Sequence, residues 1–419
     1  MKTAHEIKSG TQIITRTASL LAAATLLVLI HIAPVPAPFH IGGETAELSI
    51  KAKDSLAILA FAVTAWMTGA VPFVITALAT ILLIPALHIA DFTDTVASSF
   101  GDPLFLFFIG VMLISTAFGT SGLSARFSRV LLRLAGGNPG KIILAFLCIG
   151  AFCAMWFTEV AAAALLTPLA VEILRRSGCK PMSSNFGKSL MIACAWGPLI
   201  GGMGTPVGSG SNVLAISLLE KYAGVHIGFL QWMAFGIPSI LLLLPIAWII
   251  ITRSFPCELT GLDVLSQETK AGRFDKREMI TLMIFTGMVT LWLIAPFLKK
   301  ITGGTVNLSM HIVAIGGALL LFLPGFEVCD WKIAEKSIDW GGIILIISGL
   351  AIGKIAFETG AAKWLAWIIA YILHLGAMPG WLLAVFAVFI VGIIHLCFSS
   401  NTVTGAVMVP LMIALAAVL

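Results

Sequence analysis

The sequence predicts an all-α polytopic membrane protein made of an inverted repeat with two re-entrant hairpins and broken helices. Three observations predict it. Hydrophobic residues are 59% of the 419 and charged residues only 11%, with a mean hydropathy of +1.05, whereas soluble domains carry roughly a quarter charged residues. Apolar stretches recur from Ile13 to Leu419 with short charged links, which leaves no room for a sizeable soluble domain. Two of these stretches are too long for one helix, and each has a polar cluster near its middle. Two Tyr against 11 Trp and 26 Phe, with few long alternating segments, favour helices over an outer-membrane barrel.

The net charge of +5 fits a positive-inside bias in the loops rather than an anionic partner, and gives no reason to expect nucleic-acid binding. The seven Cys are scattered singly, without CxxC spacing, and read as packing residues. Lys2, Lys8 and Arg16 precede an apolar run from Ala18 to Ile32, which reads as an uncleaved first helix because the run is long and Pro34 and Pro36 crowd any cleavage site.

Residues 1–54 then form an amino-terminal helix (Ile13–Ile32) and link. Residues 55–253 form the first repeat, with candidate spans Leu56–Thr68, Val71–Ile89, Leu104–Phe118, Ser189–Ala223 and Phe229–Ile251. Residues 254–278 link it to a second repeat, 279–419, with spans Ile280–Phe297, Ile312–Leu323 and Gly341–Phe357. Scaffold helices occupy 55–135 and 279–373. The stretches Ile142–Leu174 and Trp381–Leu419 both exceed the roughly 20 residues one span needs and fall short of two full spans. Their polar clusters, Thr158-Glu159 and Ser399-Ser400-Asn401-Thr402, mark hairpin tips, so 141–253 holds one hairpin with a broken helix and 381–419 holds the other. Non-helical backbone at that depth requires burial in protein or a wet cavity.

The two stretches resemble each other. Thr158 and Ser400, and likewise Pro168 and Pro410, stand 242 positions apart; Gly122 and Gly360 stand 238 apart, and Pro85 and Pro324 stand 239 apart. Five crossings plus one hairpin between Leu56 and Ile251 make consecutive copies insert with opposite orientation, the plan of many secondary transporters. Lys270, Arg273, Lys276 and Arg277 place the link in the cytoplasm, and the amino terminus with it. Shifting the glycine-rich segment at 201 by 242 puts its counterpart near residue 443, beyond Leu419. The expectation is therefore a missing carboxyl-terminal part of about two membrane segments; a naturally shortened second repeat is the alternative.

Gly201-Gly202-Met203-Gly204-Thr205-Pro206-Val207-Gly208-Ser209-Gly210-Ser211-Asn212 opposes a continuous helix and is expected to break one. The half-helix ends would offer carbonyls to Na⁺ and N–H groups to an anion; close helix packing is the competing reading. Ser400, Asn401 and Thr402 supply hydroxyl and amide donors without fixed charge at the second tip, where ordinary helix capping would use them equally well. Glu159 is the deepest carboxylate, with Lys141 and Glu172 its nearest charged neighbours in sequence. It can bind Na⁺, carry a proton or pair with a cation, or serve as a structural ion pair. His311 and His395 read as satisfied packing residues. No catalytic residues emerge: His5-Glu6 lacks the second His of HExxH, Ser99 replaces the first Gly of GxGD, and neither Gly140-Lys141 nor Gly353-Lys354 continues as a P-loop.

From residue 55 onward the chain resembles the divalent anion:sodium symporter (DASS) family of the ion transporter superfamily. The likeness rests on Thr68-Gly69-Ala70-Val71-Pro72 with Thr76-Ala77-Leu78, on Phe105-Leu106-Phe107-Phe108-Ile109-Gly110, on Gly202-Met203-Gly204-Thr205 with Gly208 and Asn212, and on Ser400-Asn401-Thr402. The resemblance implies a homodimer in which Leu56–Leu134 and Ile280–Leu373 form a scaffold around a moving transport domain. It also implies Na⁺-coupled, elevator-type uptake of dicarboxylate, tricarboxylate or sulfate across the inner membrane, with Na⁺ as coupling ion and no cofactor. Thr158, Glu159, Thr205, Ser400, Asn401 and Thr402 become the expected substrate contacts, and Thr158, Glu159, Gly204, Asn212, Ser400 and Asn401 the expected Na⁺ contacts. The first tip departs from the family's Ser-Asn-Thr: Thr158-Glu159-Val160 adds a carboxylate, which opens the alternative of a cation/proton antiporter or an arsenite-type efflux permease.

Overall fold

The computed structural model describes residues 4–41, 44–126, 137–180, 183–259, 273–305, 308–398 and 400–419. Ser399, residues 127–135 of the expected scaffold, and Glu268 and Lys270 of the expected cytoplasmic link lie outside them. Apart from an antiparallel ribbon of β1 (Phe39–Ile41) and β2 (Glu44–Ala46), the described secondary structure is helical. The helices are α1 (Ala4–Ile32), α2 (Ile50–Thr68), α3 (Phe73–Ala86), α4 (Phe92–Ser99), α5 (Pro103–Thr120), α6 (Pro139–Trp156), α7 (Glu159–Arg176), α8 (Asn185–Gly201) and α9 (Gly210–Ala223). They continue with α10 (Phe229–Ser254), α11 (Lys276–Ile301), α12 (Met310–Leu320), α13 (Trp331–Ser337), α14 (Trp340–Glu358), α15 (Ala361–Ile372), α16 (Gly380–His395) and α17 (Asn401–Val418). Among the described residues seven helices are long and apolar enough to cross a membrane: residues 13–32 of α1, and α5, α6, α10, α11, α14 and α17.

Both over-long stretches are helix–turn–helix elements turning at the polar cluster, α6 into α7 and α16 into α17, and the expected long span over 189–223 is split into α8 and α9. α2 starts earlier than expected, at Ile50, because Ser49 caps it and its charges are satisfied. The Lys53 ammonium donates to the His31 and Ala33 carbonyls at 2.5 and 2.7 Å, and Asp54 meets His31 Nδ1 at 2.8 Å. A recurrence runs through the element order. α12, α13, α14, α16 and α17 begin 237 to 242 positions after α3, α4, α5, α6 and α7.

The chain divides into two compact units, Met1–Phe105 with Val213–His226 and Trp340–Leu419, and Leu106–Asn212 with Ile227–Asp339. In the first, α14 is the buried centre and packs on α3 and α17. Trp66, Ala77, Leu345, Ile352, Phe398 and Val403 form one core there, and Ala23, Leu27, Ala57, Phe61 and Ala65 join α1 to α2.

In the second unit, α6 and α8 are the most closely packed pair, because glycine lets the backbones approach. A Cβ built on Gly197 would stand 2.7 Å from the Leu147 carbonyl oxygen, and one on Gly150 2.5 Å from Pro198 Cδ. Helices in lipid gain little from expelling water, so such van der Waals contact is a main source of cohesion. The other end of α8 is tied by Glu258, whose carboxylate accepts from the Ser184 hydroxyl and from the Phe186 N–H at 3.0 Å. The Ser184 donation holds the Glu258 carboxyl below its ordinary range, against the opposing desolvation and with the help of backbone N–H groups. A depressed acid stabilises the fold above its unfolded pKa, and the contribution is lost as pH falls through the lowered value. The protection of the Phe186 and Gly187 amides from hydrogen exchange, relative to the unfolded chain at the same pH, is therefore expected to fall on acidification through the carboxylate range; in Glu258→Gln it should be low throughout. Protection insensitive to both changes would contradict this tether.

At the start of α11 a buried ion pair ties separate segments of the second unit. Arg126 donates to Glu278 Oε2 from Nε at 3.0 Å and from Nη2 at 2.6 Å, and to the Arg273 carbonyl at 2.9 Å. Glu278 also accepts from the Asp275 N–H, and the guanidinium lies 4.2 Å from the Phe274 ring centre.

Candidate functional site

The break between α8 and α9 is a constructed piece of backbone. α8 ends at Gly201, a single 3₁₀ turn covers Pro206–Gly208, and Thr205 and Ser209 on either side of it are extended. Asn212 holds the break closed on itself. Its buried amide nitrogen donates to the Gly202 carbonyl at 2.8 Å and to the Thr205 carbonyl at 2.9 Å. The fully buried Thr205 donates its hydroxyl to the Met155 carbonyl at the end of α6, fastening the break to the first hairpin. From the other side, the Trp232 indole of α10 donates to the Met203 carbonyl at 2.9 Å.

Glycine is required here for close approach. A Cβ on Gly208 would lie 2.5 Å from the Gly202 oxygen and 2.6 Å from the Ala154 oxygen, and one on Gly204 2.6 Å from Ile240 Cδ1.

The first tip turns at extended Phe157, and Thr158 caps α7 by accepting from the Ala161 N–H at 3.4 Å. Glu159 is the first residue of α7, where a carboxylate interacts favourably with the helix dipole. A Cβ on Gly202 would stand 3.2 Å from Glu159 Oε2, so that carboxylate lies against the break. Thr158, Glu159, Gly204, Thr205 and Asn212 are thus gathered in the second unit. What they present is mostly oxygen: carbonyls, a hydroxyl oxygen and one carboxylate, the donor set of a hard cation such as an alkali ion.

Beside the tip lies a cavity of about 510 Å³. Met112, Ser115, Thr116 and Gly119 of α5, the cap Thr158, Ala161 and Ala164 of α7, and Ser337 and Asp339 line it.

The second tip lies in the first unit. Ser400 caps α17 by accepting from the Val403 N–H at 3.4 Å, and Asn401 and Thr402, both half-buried, open the helix. His395 and Thr404 meet across the turn at 2.8 Å, and the His311 ring stands edge-on to Phe107 at 5.7 Å, so both histidines have structural partners. Sequence reasoning missed Met155, Met203 and Trp232. The first two act through backbone carbonyls, which any residue supplies, and nothing around Trp232 in sequence marks its reach to the break.

Residues 60–419 match the family described as citrate transporter. The sodium-dependent dicarboxylate transporter SdcS of Staphylococcus saprophyticus is 27% identical over 389 residues, covering 88% of this chain and 74% of that protein. SdcS of Staphylococcus aureus strain USA300 is 29% identical over 339 residues, covering 76% of this chain and 65% of that protein. The chain thus spans about two thirds to three quarters of these relatives' length. In fold it is similar to the YdaH transporter of Alcanivorax borkumensis, with a TM-score of 0.57 at 15% identity over 97% of this chain and 83% of that one.

Proposed function

The chain belongs to the citrate transporter family, and on that premise we propose that it acts in the secondary transport of small dicarboxylates coupled to Na⁺. The family and the relatives are transporters rather than enzymes, and the relatives are named as sodium-dependent dicarboxylate transporters. One observation carries the proposal: the α8–α9 break is pinned to the first hairpin so that backbone oxygens and the Glu159 carboxylate converge near Gly202. Such a site takes the cation. An ionised Glu159 repels a dianion, so the cation occupies the site first and screens the carboxylate before the anion arrives. In this reading Thr158, Glu159, Thr205, Ser400, Asn401 and Thr402 are the substrate contacts, and Thr158, Glu159, Gly204, Asn212, Ser400 and Asn401 are the Na⁺ contacts.

The finer reading extends to tricarboxylate or sulfate as alternative anions and to two oppositely inserted repeats. In it, scaffold helices at 55–135 and 279–373 form a homodimer in the inner membrane with the amino terminus in the cytoplasm. The hairpins and broken helix move against that scaffold as an elevator. Glu159 itself favours a second reading, a cation/proton antiporter or arsenite-type permease, because a carboxylate so placed can carry a proton.

Uptake of labelled succinate, citrate and sulfate into liposomes, with and without a Na⁺ gradient, separates the two. We expect succinate uptake that collapses without Na⁺. Proton movement driven by Na⁺ with no dianion uptake would refute the first reading. Glu159→Gln is expected to raise the Na⁺ concentration for half-maximal uptake by about tenfold, the order of one lost charge contact, at unchanged abundance. Parallel loss of abundance and uptake would instead assign Glu159 to the fold.

A further inference from the structure

Cys153, Cys194 and Cys329 are buried, whereas Cys179 and Cys257 are half-buried and lie outside the helices, just after α7 ends at Arg176 and α10 ends at Ser254. Contacts within the second unit bring the segments that carry these two together. The loop after α7 folds back so that the Ser184 N–H donates to the Lys180 carbonyl at 3.3 Å, next to Cys179. The Ser184 hydroxyl donates to the Glu258 carboxylate, next to Cys257. Further along α8, the Ser189 hydroxyl donates to the Phe255 carbonyl at 3.1 Å, and the Lys188 ammonium stands 5.9 Å from the Phe255 ring centre.

A cavity of about 350 Å³ opens at this junction, and Cys179, Lys180, Ser184, Glu258 and Leu259 are among the residues that line it. The Cys257 sulfur accepts from the Leu259 N–H and lies close enough to Cys179 for the two thiols to interact electrostatically. Burial, joined by the charges of Glu258 and Cys179 and opposed by the Leu259 N–H, raises the Cys257 thiol above its ordinary value. A raised thiol stays protonated and is a poor nucleophile. Cys179 lines the cavity and is thus the sulfur that a small oxidant arriving from solvent meets first. Among the described residues no three His, Cys, Asp or Glu are placed to hold a metal ion, so the pair suits covalent chemistry.

We propose that Cys179 and Cys257 form a reversible dithiol–disulfide site whose oxidant is a hydroperoxide. The Cys179 thiolate attacks one peroxide oxygen, the O–O bond breaks, and the departing hydroxide takes up a proton as water, leaving a sulfenic acid. The Cys257 sulfur then attacks the Cys179 sulfur, its proton leaves with the sulfenic hydroxyl as a second water, and the S–S bond forms. The two thiols lose two electrons and two protons, and the peroxide gains them. Each sulfur sits on irregular backbone rather than in a helix, so loop movement alone brings the pair to the roughly 5.5–6 Å Cα separation of a disulfide. The bridge spans the same junction as the Ser184–Glu258 tether and substitutes for it covalently. Exposed bridges are the readily reduced kind, so a thiol reductant returns the pair to its starting state. The site does not depend on the transport reading.

The test treats the full chain in nanodiscs with hydrogen peroxide, blocks the remaining thiols with an alkylating reagent and maps disulfide-linked peptides by mass spectrometry. The expected result is one linked pair carrying Cys179 and Cys257, lost on reduction with dithiothreitol. In Cys257→Ser, dimedone should trap the sulfenic acid at Cys179, whereas Cys179→Ser should leave Cys257 untrapped. In Glu258→Gln, peroxide should restore the protection of the Phe186 and Gly187 amides that the reduced variant lacks. Peroxide treatment that leaves both thiols open to alkylation, joins either to another cysteine, or leaves those amides unprotected would overturn the proposal. Dimedone at Cys257 in place of Cys179 would overturn it as well.

Discussion

Gly201→Ala is expected to destabilise the protein and abolish transport together, because the added methyl would overlap the Ala151 backbone at the tightest approach of α6 to α8. The overlapped atoms belong to the main chain of a helix, so no side chain can swing aside and the two helices must part. Overpacking of this kind costs about 1–3 kcal/mol and sometimes more. The loss should exceed that from stability alone, since Gly201 is also the last residue of α8 and displacing it moves the Gly202 carbonyl that Asn212 holds. Gly392→Ala is the matched control. A Cβ there meets nothing within 4 Å inside α16, and alanine is favoured over glycine in a helix by about 1 kcal/mol, so the variant should melt no lower than the parent. Comparable melting of the two variants in detergent, with transport retained in both, would remove the close approach as an explanation for Gly201.

The second large effect is expected at Arg126. Replacing it by Met leaves the Glu278 carboxylate, with 8% of its side chain exposed, without the guanidinium that meets it twice. Breaking a buried pair from one side typically costs about 3–5 kcal/mol, while exchanging both partners for apolar residues of similar size is often close to neutral. Arg126→Met should therefore melt well below the parent, and Arg126→Met with Glu278→Leu should recover most of the loss. A double variant no more stable than the single one would mean that Glu278 works mainly through the Asp275 N–H, as an ordinary helix start.

Hydropathy made the long apolar helices legible, and five Gly and one Pro in a dozen residues made the α8–α9 break legible, because both signals are local and strong. The polar clusters at 158 and 400 announced the two turns for the same reason. Other elements left no such trace. α4 and α13 are short and mix polar with apolar residues, and they stand out only when their recurrence 239 positions apart is seen. The start of α2 was hidden because Lys51, Lys53 and Asp54 read as water-facing, whereas the first two reach carbonyls and the third reaches His31. At the site, Glu159 and Asn212 could be singled out by residue type. Their partners could not, since a carbonyl donor such as Met155 has no signature and the Arg126–Glu278 pair joins positions 152 apart.

The grip of Lys53 on the carbonyls of His31 and Ala33 bears on the order in which the protein is made. Its partners lie only 22 and 20 positions upstream, so the contact needs nothing synthesised later. Chains emerge at about 5–20 residues per second, and short-range contacts close far faster than that. The Lys53 contact can thus close before α3 is complete, and each later helix of the first unit is added to a hairpin whose ammonium is already solvated by backbone oxygen. That shields the ammonium from the lipid while the helix that carries it has α1 as its neighbour.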